Sequence, residues 1–187
     1  MLNSRTTRGV SMVEIVIVLS IVGILLTIAA PSMQGWVANQ RIRQKTESLR
    51  SGMQIASIEA MRRNVNIVFS MAFDSSWTVG CETPVADGDG DGVDDCPAVI
   101  TQALASEGGT SISIDTTPAG TTQSTFSGIG LVRATNADGS LPVSQMDITV
   151  PDIDYSGLKP MRVLLPLGGL SRICDPSITT EGDTRKC

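Results

Sequence analysis

An apolar run near the N-terminus constrains this chain more than any other feature. Between Val10 and Ala30, 21 consecutive residues contain one ionisable side chain, that of Glu14. A helix needs about 20 apolar residues to cross the hydrocarbon core of a bilayer. We therefore predict a transmembrane helix over residues 10–31.

Glu14 lies near the start of this predicted span, where a carboxylate is costly to bury. Charged residues inside membrane segments are rare, and most of them have a function and an oppositely charged partner. The alternative is an incidental Glu in a simple anchor. We favour a functional Glu14 whose partner is a cation.

A short basic segment, residues 1–9, precedes the apolar run. It carries Arg5 and Arg8, and it lacks the apolar core and the small-residue cleavage site of a secretory signal peptide. Positive charge before a span keeps that end in the cytoplasm. We expect a single-pass protein with a cytoplasmic N-terminus and the remainder of the chain on the other side.

Beyond Pro31, apolar and small residues recur at intervals of three and four, and the charged residues lie mainly on other faces. This pattern predicts an amphipathic helix over residues 32–63 that packs on a head. Pro31 and Gly35 favour a kink or local unwinding where the two helical halves meet. The apolar stripe consists of Ile42, Thr46, Leu49, Met53, Ala56 and Ala60.

Charge divides the chain. Residues 1–63 hold eight Lys and Arg against three Asp and Glu, a net charge of +5, and residues 64–187 hold six against sixteen, a net charge of −10. The helix cations could bind lipid head groups or nucleic acid, but Glu47 and Glu59 lie among them and favour a solvated face. An acidic head is a poor general ligand for nucleic acid.

From residue 64 the sequence changes to short β-rich runs separated by Gly, Pro and Asp. This change predicts an α+β fold, in which the long N-terminal helix packs on an antiparallel β-sheet or sandwich head formed by residues 64–187. The chain has no His, which excludes His-based catalysis and His metal ligands. The predicted strands are 65–72, 77–79, 98–104, 111–114, 125–133, 146–150 and 161–165.

The head contains four cysteines, which an oxidising compartment would join as disulfides. Four cysteines allow three pairings. We favour Cys81 with Cys96 and Cys174 with Cys187, because each pair closes a short polar segment that contains Gly. A zinc site is disfavoured because the sequence has neither a C-x-x-C pair nor His.

The segment between Cys81 and Cys96 has carboxylates at the spacing of a calcium-binding loop. Loop position 12 is Ala98 instead of a bidentate Glu, so a further ligand must come from Glu82, Asp94 or elsewhere. The alternative is a flexible acidic turn, and the sequence does not decide between the two. The candidate ligands are Asp87, Asp89, Asp91, the Val93 carbonyl and Asp95.

The N-terminal residues resemble the class III signal of type IV prepilins and type II secretion pseudopilins. The shared features are a basic leader that ends in Gly9, an apolar helix that starts at once, and Glu14 at the fifth position after that Gly. The resemblance implies that a prepilin peptidase cleaves between Gly9 and Val10 and methylates the new amine. It also implies that Glu14 guides assembly by pairing with that amine, in its own or a neighbouring subunit.

The head motifs resemble the GspH/FimT family of minor pilins and minor pseudopilins. They are the segment Phe126-Ser127-Gly128-Ile129-Gly130 and the segment from Arg162 to Cys174. The resemblance implies a non-enzymatic minor pilin that requires no cofactor. Such a protein is held in the inner membrane with a periplasmic head, and joins other minor and major pilins in assembling a type IV pilus for twitching motility or adhesion.

The resemblance also leaves two alternative functions. One is a minor pseudopilin of a type II secretion system. The other is a DNA-binding pilin for natural transformation, since some FimT-like members bind DNA through Gly-Arg-x-Arg in the tail. This chain has Gly169-Leu170-Ser171-Arg172 instead, so DNA is the less favoured partner. The residues available for DNA contact are Arg172, Arg185 and Lys186.

Overall fold

The structure is a computed structural model. It describes residues 11–72, 75–88, 95–105, 112–151 and 156–187, and for residues 28–32 it describes the backbone alone. The chain divides into two compact units, Met1–Val37 and Ala38–Cys187.

One long helix, α1, spans Met12–Arg63 and contains 52 residues. It is helical through Pro31, so the predicted local unwinding is not observed. The residue after the helix, Asn64, has a φ of 52°, the left-handed conformation that commonly closes a helix. The amide of Val65 donates to the carbonyl of Ala60 at 3.3 Å, which completes this cap.

The second half of α1 buries the predicted stripe. All six stripe residues are fully buried, which confirms the spacing on which the prediction was based. Lys45 differs from the expectation that charged residues lie on other faces, because it is only 2% exposed. It stands three residues after Ile42 and four before Leu49, so it occupies a stripe position by helical geometry.

The described residues after α1 form eight strands in two antiparallel sheets. The strand order is β3-β2-β1-β5 in the first sheet and β4-β6-β7-β8 in the second. With the helix packed against them, they form the predicted α+β fold. The strands are β1 Ile67–Met71, β2 Trp77–Cys81, β3 Thr101–Ala103, β4 Ser113–Thr117, β5 Gln123–Phe126, β6 Gln145–Thr149, β7 Met161–Leu164 and β8 Arg172–Cys174.

One predicted strand was wrong in its extent, and one observed strand was missed. The run predicted over residues 125–133 ends at Phe126, because the chain turns immediately afterwards. In this turn the amide of Gly130 donates to the carbonyl of Ser127 at 2.7 Å, and Gly130 has a φ of 79°. Strand β8 was not predicted, since three residues after a Gly-rich turn are too few to show alternation.

The hydrophobic core lies between α1 and the two sheets. Gly52 allows the helix to approach the first sheet closely, because a Cβ at this position would lie 2.9 Å from the Phe69 ring and 3.0 Å from the Trp77 ring. The second sheet contributes Met146 and Val163 to the same core. The fold thus packs the second half of α1 against both sheets of the head.

Candidate functional site

The N-terminal part of α1 presents an apolar surface. Every side chain from Met12 to Thr27 is exposed, and Glu14 is the one charged residue among them. A continuous apolar surface of this kind marks an interaction site, because a soluble monomer rarely leaves one uncovered. Of the residues that the structure describes, none belongs to a helix that is apolar over enough of its length to cross a membrane.

Glu14 stands in the first turn of α1. Within the described ranges no residue forms an ion pair with it. The predicted cleavage site, Gly9 and Val10, lies outside the described residues, as does the amine that is its predicted partner. The role of Glu14 therefore stays a prediction.

The acidic loop begins and ends at cysteines that the structure joins. Cys81 and Cys96 form a disulfide with their Cα atoms 5.8 Å apart, which is one of the two favoured pairs. Next to it, a carboxylate oxygen of Asp95 accepts a hydrogen bond from the amide of Gly88 at 3.3 Å. The Asp95 carbonyl accepts from the guanidinium of Arg63 at 2.7 Å. The end of the loop is thereby tied to the end of α1.

The calcium site stays a prediction from the sequence. Of the candidate ligands the structure describes Asp87 and Asp95, whereas Asp89, Asp91 and Val93 lie outside the described residues. In the part of the chain that is described, no three His, Cys, Asp or Glu side chains are placed to share a metal ion.

Glu82, which the sequence offered as a further calcium ligand, is engaged elsewhere. Its carboxylate accepts from the guanidinium of Arg133 at 3.0 Å and from the side-chain amide of Asn66 at 2.7 Å. These bonds link the end of β2 to the start of β1 and to the turn after β5. Glu82 therefore has a structural role in the head.

The C-terminal tail is closed by the second favoured pair. Cys174 and Cys187 form a disulfide with their Cα atoms 5.1 Å apart. The guanidinium of Arg172 donates to the carbonyl of Lys186 at 2.7 Å, which brings together two of the three residues considered for DNA contact.

The third of these residues, Arg185, is neutralised inside the tail. Its guanidinium donates to both carboxylate oxygens of Asp183, at 3.1 and 2.8 Å. Hydrogen bonds from the Arg185 side chain and amide lower the pKa of Asp183 to about 2, and the same partner raises the pKa of Arg185. Arg172 and Lys186 have no carboxylate partner within the described ranges.

A further apolar surface on the head was not predicted. The hydroxyl of Ser57 donates to the carbonyl of Gly130 at 3.0 Å, and the amide of Val132 donates to the carbonyl of Leu167 at 3.0 Å. These bonds hold two turns against α1 and expose their large side chains, with Leu170 at 80% the most exposed. We call this surface the head apolar cluster: Met61, Ile129, Leu131, Leu167 and Leu170.

Comparison with known proteins identifies the family. A family model described as "Type II transport protein GspH" matches residues 45–154, which is more than half of the chain. The chain belongs to the GspH family. This match confirms the resemblance of the head to the GspH/FimT family. No curated protein sequence matches the chain.

Two crystal structures of the type IV minor pilin FimU from Pseudomonas aeruginosa strain PAO1 are similar to this GspH family member. One, in space group P21, has a TM-score of 0.49 at 12% identity and covers 76% of this chain and 94% of that chain. The other, in space group P65, has a TM-score of 0.48 at 12% identity and covers 74% of this chain and 97% of that chain.

The match to the GspH family covers part of the molecule. It begins at Lys45 in the second half of α1 and includes strands β1 to β6. The exposed apolar part of α1, strands β7 and β8, and the disulfide-closed tail lie outside it. Membership of the GspH family therefore rests on the second half of α1 and most of the head, and the match does not include Glu14 or the tail.

Proposed function

We propose that this GspH family member is a minor pilin, held in the inner membrane until it is assembled with other minor and major pilins into a type IV pilus. The observation that carries the proposal is the exposed apolar surface of α1 from Met12 to Thr27, with Glu14 as its single charge. A fibre in which such helices pack side by side would cover this surface.

In this proposal Glu14 is the assembly residue. Cleavage after Gly9 frees the amine of Val10, and the peptidase then methylates this amine. The methylated amine pairs with Glu14 of a neighbouring subunit. Opposite charges attract strongly where water is excluded, and an unpaired carboxylate there is costly. The pair therefore sets the axial position of one subunit against the next.

Before assembly, residues 10–31 anchor the chain and the head lies in the periplasm. Support comes from the length of the apolar run and from the cations Arg5 and Arg8 before it. The disulfides Cys81–Cys96 and Cys174–Cys187 are suited to an oxidising compartment.

The head apolar cluster supports a second contact between subunits. The backbone of the two turns that carry most of its side chains is held by hydrogen bonds, so these turns are ordered before a partner binds. Binding of a preformed surface loses less conformational entropy than binding of a mobile one. A neighbouring head is the occupant that fits a fibre.

Leader processing tests the proposal. The full chain would be expressed with and without a prepilin peptidase, and its mass measured intact. We expect loss of residues 1–9 only with the peptidase, and no loss in Gly9→Val, because a β-branched side chain replaces hydrogen at the scissile bond. Gly23→Val changes a Gly in the same apolar segment and should be cleaved normally. An unprocessed wild-type chain in the presence of active peptidase would contradict the proposal.

Two observations favour alternative functions. The family description names a type II transport protein, which favours a minor pseudopilin of a type II secretion system. The exposed Arg172 lacks a carboxylate partner among the described residues, which favours DNA binding by the tail. Because few tail cations oppose an acidic head, we expect duplex DNA to bind weakly. Tight binding at physiological salt that is lost in Arg172→Ala would therefore support the second alternative.

A further inference from the structure

We propose that, in the membrane-anchored state, the head rests on anionic phospholipid through three cations, Arg41, Arg43 and Lys159, which we call the basal cations. This inference depends on the membrane anchoring proposed above. It names a contact of the head with the lipid surface that is separate from insertion of the apolar run.

The first observation concerns which helix cations are already paired. Glu47 pairs with Arg50 at 3.6 Å. Glu59 pairs with both Arg62 at 2.7 Å and Arg63 at 2.9 Å. The two carboxylates that suggested a solvated, self-neutralised helix face are therefore paired with Arg50, Arg62 and Arg63.

The basal cations have no such partners. Within the described ranges, no carboxylate forms an ion pair with Arg41, Arg43 or Lys159. Arg43 and Lys159 are exposed, and Arg41 is half-buried. Asp152 and Asp154, which precede Lys159 in the sequence, lie outside the described residues.

Lys159 is fixed beside the helix. The side-chain amide of Asn39 donates to the carbonyl of Gly157 at 3.0 Å, and the amide of Lys159 donates to the side-chain oxygen of Asn39 at 2.8 Å. Asn39 is one helical turn before Arg43, so this loop adds its cation on the same side of α1. All three cations lie near Ala38, where the compact head unit begins.

The two arginines lie on different sides of α1. Along an α-helix, residues two positions apart differ by about 3 Å in height and by about 200° in direction. Arg41 and Arg43 therefore project to opposite sides of α1 at one level. A protein packed on one side of the helix would therefore engage only one of the two arginines.

Anionic phospholipid supplies the matching chemistry. Guanidinium groups bind phosphate oxygens through paired hydrogen bonds, and an ammonium binds them as a point charge. Near an anionic membrane surface each cation strengthens binding about fivefold, and the effect falls off within a Debye length. Three cations should together contribute roughly a hundredfold.

The test measures partitioning of the full chain from detergent into vesicles of phosphatidylcholine with and without phosphatidylglycerol. We expect a preference for the phosphatidylglycerol vesicles that decreases with added salt. The variant Arg41→Gln with Arg43→Gln and Lys159→Gln should lose roughly a hundredfold of that preference and keep its binding to neutral vesicles. The single variant Arg43→Gln should lose about fivefold of the preference. Arg62→Gln is the matched control for that single variant, because it removes one cation of the same helix that Glu59 already neutralises.

The outcomes separate this inference from the proposed function. Insertion into both vesicles with equal affinity would overturn the basal contact and leave the anchor intact, whereas insertion into neither would overturn both. An equal loss in Arg62→Gln and in Arg43→Gln would also overturn it, since any cation of the helix would then suffice. If the triple variant kept the lipid preference but no longer entered fibres, the basal cations would instead contact another subunit.

Discussion

The indole nitrogen of Trp77 donates a hydrogen bond of 2.9 Å to the hydroxyl of Ser48. Trp77 is the first residue of β2, and Ser48 lies in the second half of α1. The Trp77 ring also packs against Phe69, with ring centroids 5.9 Å apart. This bond therefore joins the helix to the first sheet beside the core.

We predict that Ser48→Ala lowers the free energy of unfolding by about 1 kcal/mol, because the indole N–H of the buried Trp77 loses its partner. Trp77→Phe removes the same donor together with part of a buried ring, so it should be more destabilising. In a double-mutant cycle followed by urea unfolding, Ser48→Ala should have almost no effect once Trp77 is Phe. An undiminished effect in that background would show that the hydrogen bond contributes nothing.

A second prediction concerns the Gly168-Gly169 turn. Gly169 has a φ of 80°, and a Cβ at this position would collide with the carbonyl oxygen of Gly130. Gly169→Ala should therefore destabilise the head by about 1–3 kcal/mol or more, since both the backbone conformation and the contact oppose a side chain. Gly168→Ala is the control, because a Cβ there meets no atom within 4 Å. Equal melting temperatures for the two variants would contradict this account of the turn.

The tail should show a defined pH dependence. The Arg185 side chain and amide lower the pKa of Asp183 from 3.8 to about 2. Because the folded value lies below the unfolded value, the bond favours the ordered tail above about pH 4, and this contribution is lost as the pH falls towards 2. Carboxyl-carbon NMR titration should give the low pKa, and Arg185→Gln should return it towards 3.8. An unmutated Asp183 that titrates near 3.8 would refute the pairing.

Sequence reasoning was most successful where burial follows a local period. Ile42, Leu49 and Met53 are fully buried as their spacing predicts, because the spacing of a helix face is written in consecutive residues. The order of the strands was not predictable in this way. Strand β1 pairs with β5, which is distant in sequence, and such a partner depends on how the whole sheet closes.

The candidate sites were likewise predictable only where their residues lie close together in sequence. The two disulfides close short segments, so their cysteines could be paired from the sequence. The head apolar cluster could not be predicted, since its members Met61, Leu131 and Leu167 belong to three separate segments that meet only in the fold. The pairing of Glu59 with Arg62 and Arg63, which leaves the basal cations unpaired, also needed side-chain positions.

The acidic loop gives a prediction about calcium. If Asp87, Asp89, Asp91 and Asp95 bind one ion, millimolar calcium should raise the melting temperature of the disulfide-intact chain, because a site without a bidentate Glu is expected to be weak. Magnesium should raise it less, since it gives up its water reluctantly. Asp89→Asn with Asp91→Asn should abolish the response. An unchanged melting temperature in millimolar calcium would identify the loop as a plain acidic turn.

The most direct test of the minor pilin proposal is the amount of this chain in sheared fibres from cells that express Glu14→Ala. The variant should insert in the membrane at least as well as the wild type, because a buried carboxylate is removed. Its fibre incorporation should be abolished, because the amine of Val10 has lost its partner. Glu181→Ala removes one exposed carboxylate from the tail and should incorporate normally. Normal incorporation of Glu14→Ala would contradict the role of Glu14 and the assembly mechanism built on it.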